Sequence, residues 1–493
     1  MASNSLIVVG GGASGIFAAI AAARSGCSSV TVLEATSRPL RKVLLSGGGR
    51  CNVLHRPGVY SPRDLALKHF PRGSRELIGP FSSRWTQQDT WDWFENEGVA
   101  LKIEDDGRCF PVTDNSATIA DALLDAARFA GVELILGARV ESIEECKQKQ
   151  ENEDGLSREH LWTVSYTERR DGDDRRLKRM RRSDAVMLAT GSAPAGYELA
   201  RSLGLEVATP LPSLFSFRLP ADTNPLAGLA GVSLRDVELG LLADGADGGD
   251  ASTSDAPARR SSTSTSSAKI AHPQRGPLLV THRGISGPAA LRLSSFAATD
   301  LAARAYRGTL TLNLVPGEVS SPMEAIDALR AHRVTHGSRG FVHGGTSGAY
   351  PFAAQLPRRV WAALCDIALG DGLRSSGGGG GGELAPRKKV RWGELRKAEE
   401  LKLCTSLVAL RLPFQGKDAN KEEFVTCGGV ELAQVHLKTM EAKCRKGLYF
   451  GGEVLNVDGV TGGFNFQACW TTGYVAGVAA AEGRNGEDDC DVD

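Results

Sequence analysis

The stretch from Leu6 to Glu34 constrains this chain more than any other. Leu6–Val9 (LIVV) is a short apolar, β-branched run and reads as a buried parallel strand. Gly10, Gly12 and Gly15 follow in the order G-x-G-x-x-G, and an alanine-rich helical stretch runs from Ile16 to Gly26. A second strand, Val30–Leu33, ends on Glu34, 19 residues after Gly15. Each part has a physical task. Gly10 permits a tight turn, Gly12 lets a pyrophosphate approach the backbone, and Gly15 lets the helix pack closely on the strand. The helix N-terminus offers free N–H groups and the positive end of its dipole. A carboxylate at Glu34 accepts hydrogen bonds from a ribose and repels a 2′-phosphate. The segment therefore predicts a site for an adenine dinucleotide, FAD or NAD, and the motif alone does not separate the two.

Ala2 to Ala23 is nearly free of charge, so a signal peptide or membrane span is the competing reading. Gly10, Gly11, Gly12 and Gly15 interrupt the stretch, and no basic residue precedes it. A soluble, cytoplasmic protein is expected. At 493 residues the chain has room for two or three domains of about 100–200 residues each. Lys+Arg and Asp+Glu are equal at 58 each, which offers no overall electrostatic case for nucleic acid or an acidic membrane. The expected partner is a small-molecule substrate. None of the ten cysteines is spaced C-x-x-C, which argues against a zinc ribbon or a dithiol redox pair and for buried free thiols. No metal site is expected.

A second glycine-rich segment, Leu44–Asn52 (LLSGGGRCN), has basic residues at hand in Lys42 and Arg50, suited to offset phosphate charge. A helix is predicted from about Ala117 to Gly131, then strands at Val132–Leu136 and Ala138–Ile143. Strands at Trp162–Tyr166 and Ala185–Ala189 flank a hairpin carrying Arg175, Arg176, Lys178, Arg179, Arg181 and Arg182. Asp171, Asp173, Asp174 and Asp184 bracket that hairpin, so it reads as a solvated turn rather than a nucleic-acid patch. The pattern then changes to short β-like runs up to Pro316, which suggest an antiparallel, barrel-like insertion. Residues 241–268 interrupt it and are expected to be disordered; 318–372 and 392–410 look helical, and Gly377–Gly382 is linker-like. Near the end, Gly447–Leu455 reads as strand, glycine pair and acid. Gly459, Gly462 and Gly463 then precede a helix to about Ala481, whose N-terminus can stabilise negative charge.

Together the segments VVGGGASG, RPLRKVLLSGGGRCN, DDGRCFPVTDNSATIADALL, LATGSAPAGYELARSLG, THRGISGPAALRLS, VTCGGV and GLYFGGEVLNVDGVTGGFNFQACWTTGYVAG resemble the BaiN-like, aminoacetone-oxidase-like family of NAD(P)/FAD-dependent flavoprotein oxidoreductases. The resemblance implies an α/β fold: a discontinuous Rossmann-like FAD-binding domain with an inserted antiparallel β-barrel-like domain and a small helical segment. It implies FAD-domain pieces at 1–195 and 423–493, the β-rich insertion at 196–317 and the helical segment at 318–422. Carried over residue by residue, it implies FAD contacts at Gly10, Gly12, Ser14, Gly15, Glu34, Lys42, Gly49, Arg50, Cys51, Asn52, Val140, Thr190, Gly191, Gly452, Glu453, Gly463 and Asn465. Three departures from the family pattern stand out: a shorter segment after Gly191, Asn456 where the family has Asp, and the extra insertions at 241–268 and 377–382.

The expected chemistry is hydride transfer at flavin N5 on a small organic substrate. The chain shows one dinucleotide fingerprint, so NAD(P)H is expected only as a transient donor; a substrate-reduced, oxygen-reoxidised oxidase is the nearest alternative. An RNA-modifying flavoprotein and a non-catalytic flavin-binding interaction protein are the others. His282, in Thr281–Pro288, is the candidate proton donor.

Overall fold

The computed structural model describes residues 4–146, 150–151, 157–158, 161–169, 176–243, 269–344, 349–370, 390–418 and 425–483. Most of the 241–268 insertion, the polyglycine run, Arg175 and the aspartates at 171, 173 and 174 lie outside the described residues. The chain divides into two units, one of residues 1–213 with 421–493 and one of residues 214–420.

The first unit is built on a sheet whose central strands are buried apolar runs. They are β1 (Ser5–Val9), β2 (Ser29–Glu34), β7 (Ala185–Leu188) and β8 (Leu448–Phe450), while β3 (Glu133–Leu136), partly exposed, forms one edge. All pair in parallel in the order β8-β7-β1-β2-β3, with Val9 opposite both Leu33 and Leu188. The strand beside β7 comes from the far end of the chain, and two short antiparallel strands, Glu441–Ala442 and Val435–His436, extend the sheet beyond it. Helix α1 (Ala13–Arg24) connects β1 to β2, and α3 (Ser116–Phe129) precedes β3. Between them, Arg41–Gly49 forms α2, in which Ser46–Gly48 leave helical geometry.

A three-stranded antiparallel sheet, β4 (Ala138–Cys146), β5 (Leu161–Arg169) and β6 (Arg176–Ser183), follows β3, with β6 at one edge. The long C-terminal helix α4 (Phe464–Glu482) lies against α1. A Cβ on Gly477 would stand 2.2 Å from the Ala18 carbonyl oxygen, and one on Gly473 2.7 Å from that of Ser14. Backbone therefore meets backbone, which only glycine on α4 and small residues on α1 permit. Trp470, Phe17 and Phe94 fill the space beside this contact.

The second unit holds a seven-stranded antiparallel sheet, ordered 410–415, 307–313, 233–242, 270–280, 284–286, 216–218 and 417–418. Its two edges are consecutive pieces of one segment, hinged at Gly416. No ladder joins them, so the sheet is barrel-like without being a closed barrel. The strand Ser233–Leu242 carries Leu241 and Leu242 in the sheet, so the insertion begins after them and not at 241. The helical region 318–372 is also not continuous. Helices occupy Pro322–His336 and Arg358–Leu369, and Gly337, at φ +81°, stops the first. Among the described residues no helix is long and apolar enough to cross a membrane, and no cluster of His, Cys, Asp and Glu side chains is placed to hold a metal ion.

Candidate functional site

The turn after β1 forms a glycine cradle. A Cβ on Gly15 would sit 2.0 Å from the Gly10 carbonyl oxygen, so this glycine sets how closely α1 lies on the strand. A Cβ on Gly12 would meet nothing within 4 Å. Gly12 is the N-cap of α1, and no side chain caps the helix. Its first N–H groups are thus available to an anion. Beside them the Ser14 hydroxyl is buried with no hydrogen-bond partner, and so is the Thr190 hydroxyl at the exit of β7. Two orphaned buried hydroxyls beside an uncapped helix fit a bound phosphate group. Glu34 accepts from Gly11 N at 2.7 Å and Thr36 N at 2.8 Å, which fixes its carboxylate at the end of β2 and leaves lone pairs for ribose hydroxyls.

The second wall is assembled from three distant segments. Asn52 joins two of them: with its amide oriented to satisfy both atoms, its oxygen accepts from Gly463 N (2.9 Å) and its nitrogen donates to Leu54 O (3.1 Å). Gly463 is the left-handed N-cap of α4, where a Cβ would stand 2.4 Å from the Leu54 carbonyl carbon. Asn465 closes the preceding loop, donating to Gly459 O and accepting from Gly459 N, both at 2.8 Å. Gly452 N donates to Thr472 Oγ1 at 2.9 Å, which ties the Gly451–Gly452–Glu453 turn to α4. Like α1, α4 begins without a side-chain cap. Val140 sits buried on β4, opposite Tyr166.

The two cations expected to offset phosphate charge are otherwise engaged. Lys42 forms an ion pair with Glu453 and donates to Ser192 Oγ at 2.9 Å. Arg50 donates to Asp114 (2.8 Å) and to Glu104, and its guanidinium lies 4.0 Å from the centre of the Phe110 ring. Arg50 thus anchors the Gly47–Gly49 loop to the 101–114 region, and its charge is already balanced there. Cys51 is fully buried, and burial pushes its thiol up to about 12, so it packs rather than reacts. The cysteines at 27, 51, 109, 365, 404, 427, 444 and 469 are free. Asn456 accepts from Gly428 N and donates to Glu431 Oε2, both at 3.2 Å. Aspartate there would set two carboxylates face to face, which accounts for the amide. His282 belongs to the second unit, exposed in the turn before the strand Gly284–Ser286, beside Arg283, which pairs with Asp418 at 3.3 Å. Every other expected cofactor contact belongs to the first unit.

Ser192, Thr472 and Leu54 also belong to this wall; Ser192 and Thr472 fall within the family-like segments, and Leu54 lies just after one. Asp458, in the C-terminal segment, forms a buried ion pair with Arg72, and its Oδ2 also accepts from Ser213 Oγ at 2.7 Å. Asp458 follows the glycine–acid turn in sequence, but only the fold brings Arg72 to it.

The parallel sheet, open glycine turn, ribose-side glutamate and returning C-terminal helix define an FAD-dependent oxidoreductase of Rossmann type. The chain belongs to the HI0933-like family, whose Rossmann-domain model matches residues 4–165 and 178–479. It is 27% identical to a 3-dehydro-bile acid delta(4,6)-reductase of Clostridium scindens, over 97% of this chain and 99% of that one. It is 26% identical to a ribosomal RNA dihydrouridine synthase of Escherichia coli, over 95% and 96%. Among solved structures, a 3-ketosteroid-delta4-(5alpha)-dehydrogenase of Rhodococcus jostii aligns over 98% of both chains at 15% identity, with a TM-score of 0.43.

Proposed function

We propose that this protein is an FAD-dependent reductase that adds hydrogen across a C=C bond conjugated to a carbonyl group, with NAD(P)H as electron donor. The observation that carries the proposal is the bond change common to its relatives. A delta(4,6)-reductase of a 3-dehydro-bile acid and a dihydrouridine synthase both saturate a C=C bond in conjugation with a carbonyl, and each aligns over at least 95% of this chain. That bond change is shared by a small enone and a uracil ring, so the chemistry leaves the size of the substrate open.

When bound, FAD supplies the hydride at N5. The residues of this chain do the rest. Glu34 takes the ribose hydroxyls, while Ser14, Thr190 and the first N–H groups of α1 take the pyrophosphate. Asn52 holds the glycine loop against Gly463, and the uncapped start of α4 favours negative charge beside it. His282 enters as proton donor on its chemistry alone, because an imidazole ring nitrogen can carry and release a proton.

The test is anaerobic stopped-flow bleaching of the flavin. NADH or NADPH should bleach the 450 nm-region band rapidly, and a conjugated enone mixed with the reduced protein should restore it. Bleaching by an amine or saturated ketone, with recovery only on admitting oxygen, is the oxidase result and overturns the reductase reading.

A further inference from the structure

Lys42 and Glu453 were both expected to touch FAD, and the structure pairs them with each other instead. Their backbones are held on opposite sides of the glycine cradle. On one side Leu40, the left-handed N-cap of α2, donates its N–H to Gly11 O at 2.9 Å. The buried side chains of Leu40 and Val43 fix the turn on which Lys42 stands. On the other side Gly452 N donates to Thr472 Oγ1, and Glu453 O accepts from the buried Tyr197 hydroxyl at 3.3 Å. A Cβ on Gly451 would stand 2.6 Å from Ser14 Oγ, and one on Gly452 2.9 Å from Ser14 Cβ, so the turn that carries Glu453 lies against the start of α1. Lys42 also donates to Ser192 Oγ at 2.9 Å, two residues past Thr190. The ion pair therefore completes a ring of contacts through Gly11, Leu40, Lys42, Glu453, Gly452 and Ser14. Gly12, the uncapped N-terminus of α1, belongs to that ring. The Lys42 side chain is 58% exposed and that of Glu453 13%, which puts the bridge on the outer rim with its carboxylate end sheltered.

We propose that the Lys42–Glu453 bridge is a strap across the pyrophosphate of FAD and gates its entry and exit. FAD is a dumbbell: two broad, flat ring systems joined by a slender ribityl–pyrophosphate link. With Glu34 taking the adenosine ribose and the Asn52–Gly463 wall at the flavin end, the slender link lies under the bridge and neither broad end slips through a closed ring. The charge of Lys42 is matched by Glu453, which leaves it little attraction for a phosphate and separates a strap from a ligand. Both backbone anchors are fixed, so opening needs only rotation of the exposed Lys42 stem. Opening precedes passage in either direction. The fraction of time the strap is open thus multiplies both the association and the dissociation rate constant, and cancels from their ratio. The inference stands on the FAD site and is independent of substrate and electron donor.

The test is cofactor exchange on the full chain. Association is read by stopped-flow quenching of tryptophan fluorescence when flavin-stripped protein meets FAD. Dissociation is read as loss of protein-bound radiolabelled FAD under an excess of unlabelled FAD. K42M should speed both steps about 5-fold, the upper end for an exposed ion pair, and leave the dissociation constant within about twofold of the parent. K42R keeps the cation and should restore slow exchange. Raising KCl from about 0.05 to 0.5 M should speed dissociation from the parent by screening the pair and leave K42M unchanged. Faster dissociation in K42M without faster association, with affinity lost in proportion, makes Lys42 an ordinary phosphate ligand and overturns the proposal. So do parent-like rates in K42M. No substrate is turned over in these measurements, so their outcome is separate from that of the reductase reading.

Discussion

Gly12 and Gly15 stand three residues apart in one motif, yet the structure gives them different burdens, and substitution separates them. At Gly12 the backbone has φ −84° and ψ −172°, which alanine adopts without strain, and the added methyl meets nothing within 4 Å. Losing glycine stabilises the folded chain by roughly 0.4–1 kcal/mol through the unfolded state. Alanine at an N-cap gives back about the same amount. Apo-protein stability should therefore stay within about 0.5 kcal/mol of the parent. The methyl does occupy the space in front of the uncapped N–H groups. Displacing the pyrophosphate from one charge-assisted hydrogen bond costs about 1.5–3 kcal/mol, a roughly 10- to 100-fold rise in the FAD dissociation constant. At Gly15 the methyl would stand 2.0 Å from Gly10 O and 3.2 Å from the Ala189 side chain, so α1 must lift off the sheet. Overpacking of this kind costs about 1–3 kcal/mol, or roughly 2–12 °C in the melting temperature of a unit this size. Differential scanning fluorimetry of flavin-stripped protein reads the stability, and FAD titration by fluorescence quenching reads the affinity. G12A binding FAD as tightly as the parent, or G15A melting with it, would refute the assignment of the cradle.

D458N leaves the Arg72 guanidinium without its buried counter-charge and should cost about 3–5 kcal/mol by urea denaturation. R72M/D458L should recover most of that loss, and a double variant as unstable as the sum of the singles would show that charge pairing is not the cause. Burial holds the thiols of Cys51 and Cys109 up to about 12 against an ordinary 9.0. Between those values the unfolded chain binds fewer protons than the folded one, so stability falls as pH rises. The expected slope is up to roughly 1.4 kcal/mol per pH unit for each thiol. C51A should lose its share of that slope between pH 9 and 10.5, and an unaltered slope would count against burial as the cause. H282Q should leave flavin reduction by NAD(P)H unchanged and slow substrate reduction about 10²- to 10⁴-fold; equal turnover removes His282 as proton donor.

The cofactor half of the fold was legible because its physics is local and severe. A parallel strand buried on both faces must be an unbroken apolar run, as Leu6–Val9 and Ala185–Leu188 are. Gly15 must be glycine, with a carbonyl 2.0 Å from where its Cβ would be. The closing glycines before Phe464 show themselves in the same way. What stayed hidden was pairing across long sequence separations. Arg50 beside a glycine loop reads as a phosphate ligand, and nothing local in the sequence announces the Glu104 and Asp114 that the fold brings to it. The 318–372 region looks helical in sequence, and the structure divides it into helices at Pro322–His336 and Arg358–Leu369, the first stopped at Gly337.

The charge of the chain shows the same limit more sharply. Equal counts of 58 acids and 58 bases argue against a polyanionic partner only if the charges are mixed on the surface as they are in the sequence. A β-strand does not mix them: its period of two sorts alternate residues onto opposite faces. In Arg176–Ser183 that period sends Arg179 and Arg181 to carboxylate partners on one side and leaves Arg176, Lys178 and Arg182 together on the other. A neutral total and a strongly cationic face are thus compatible.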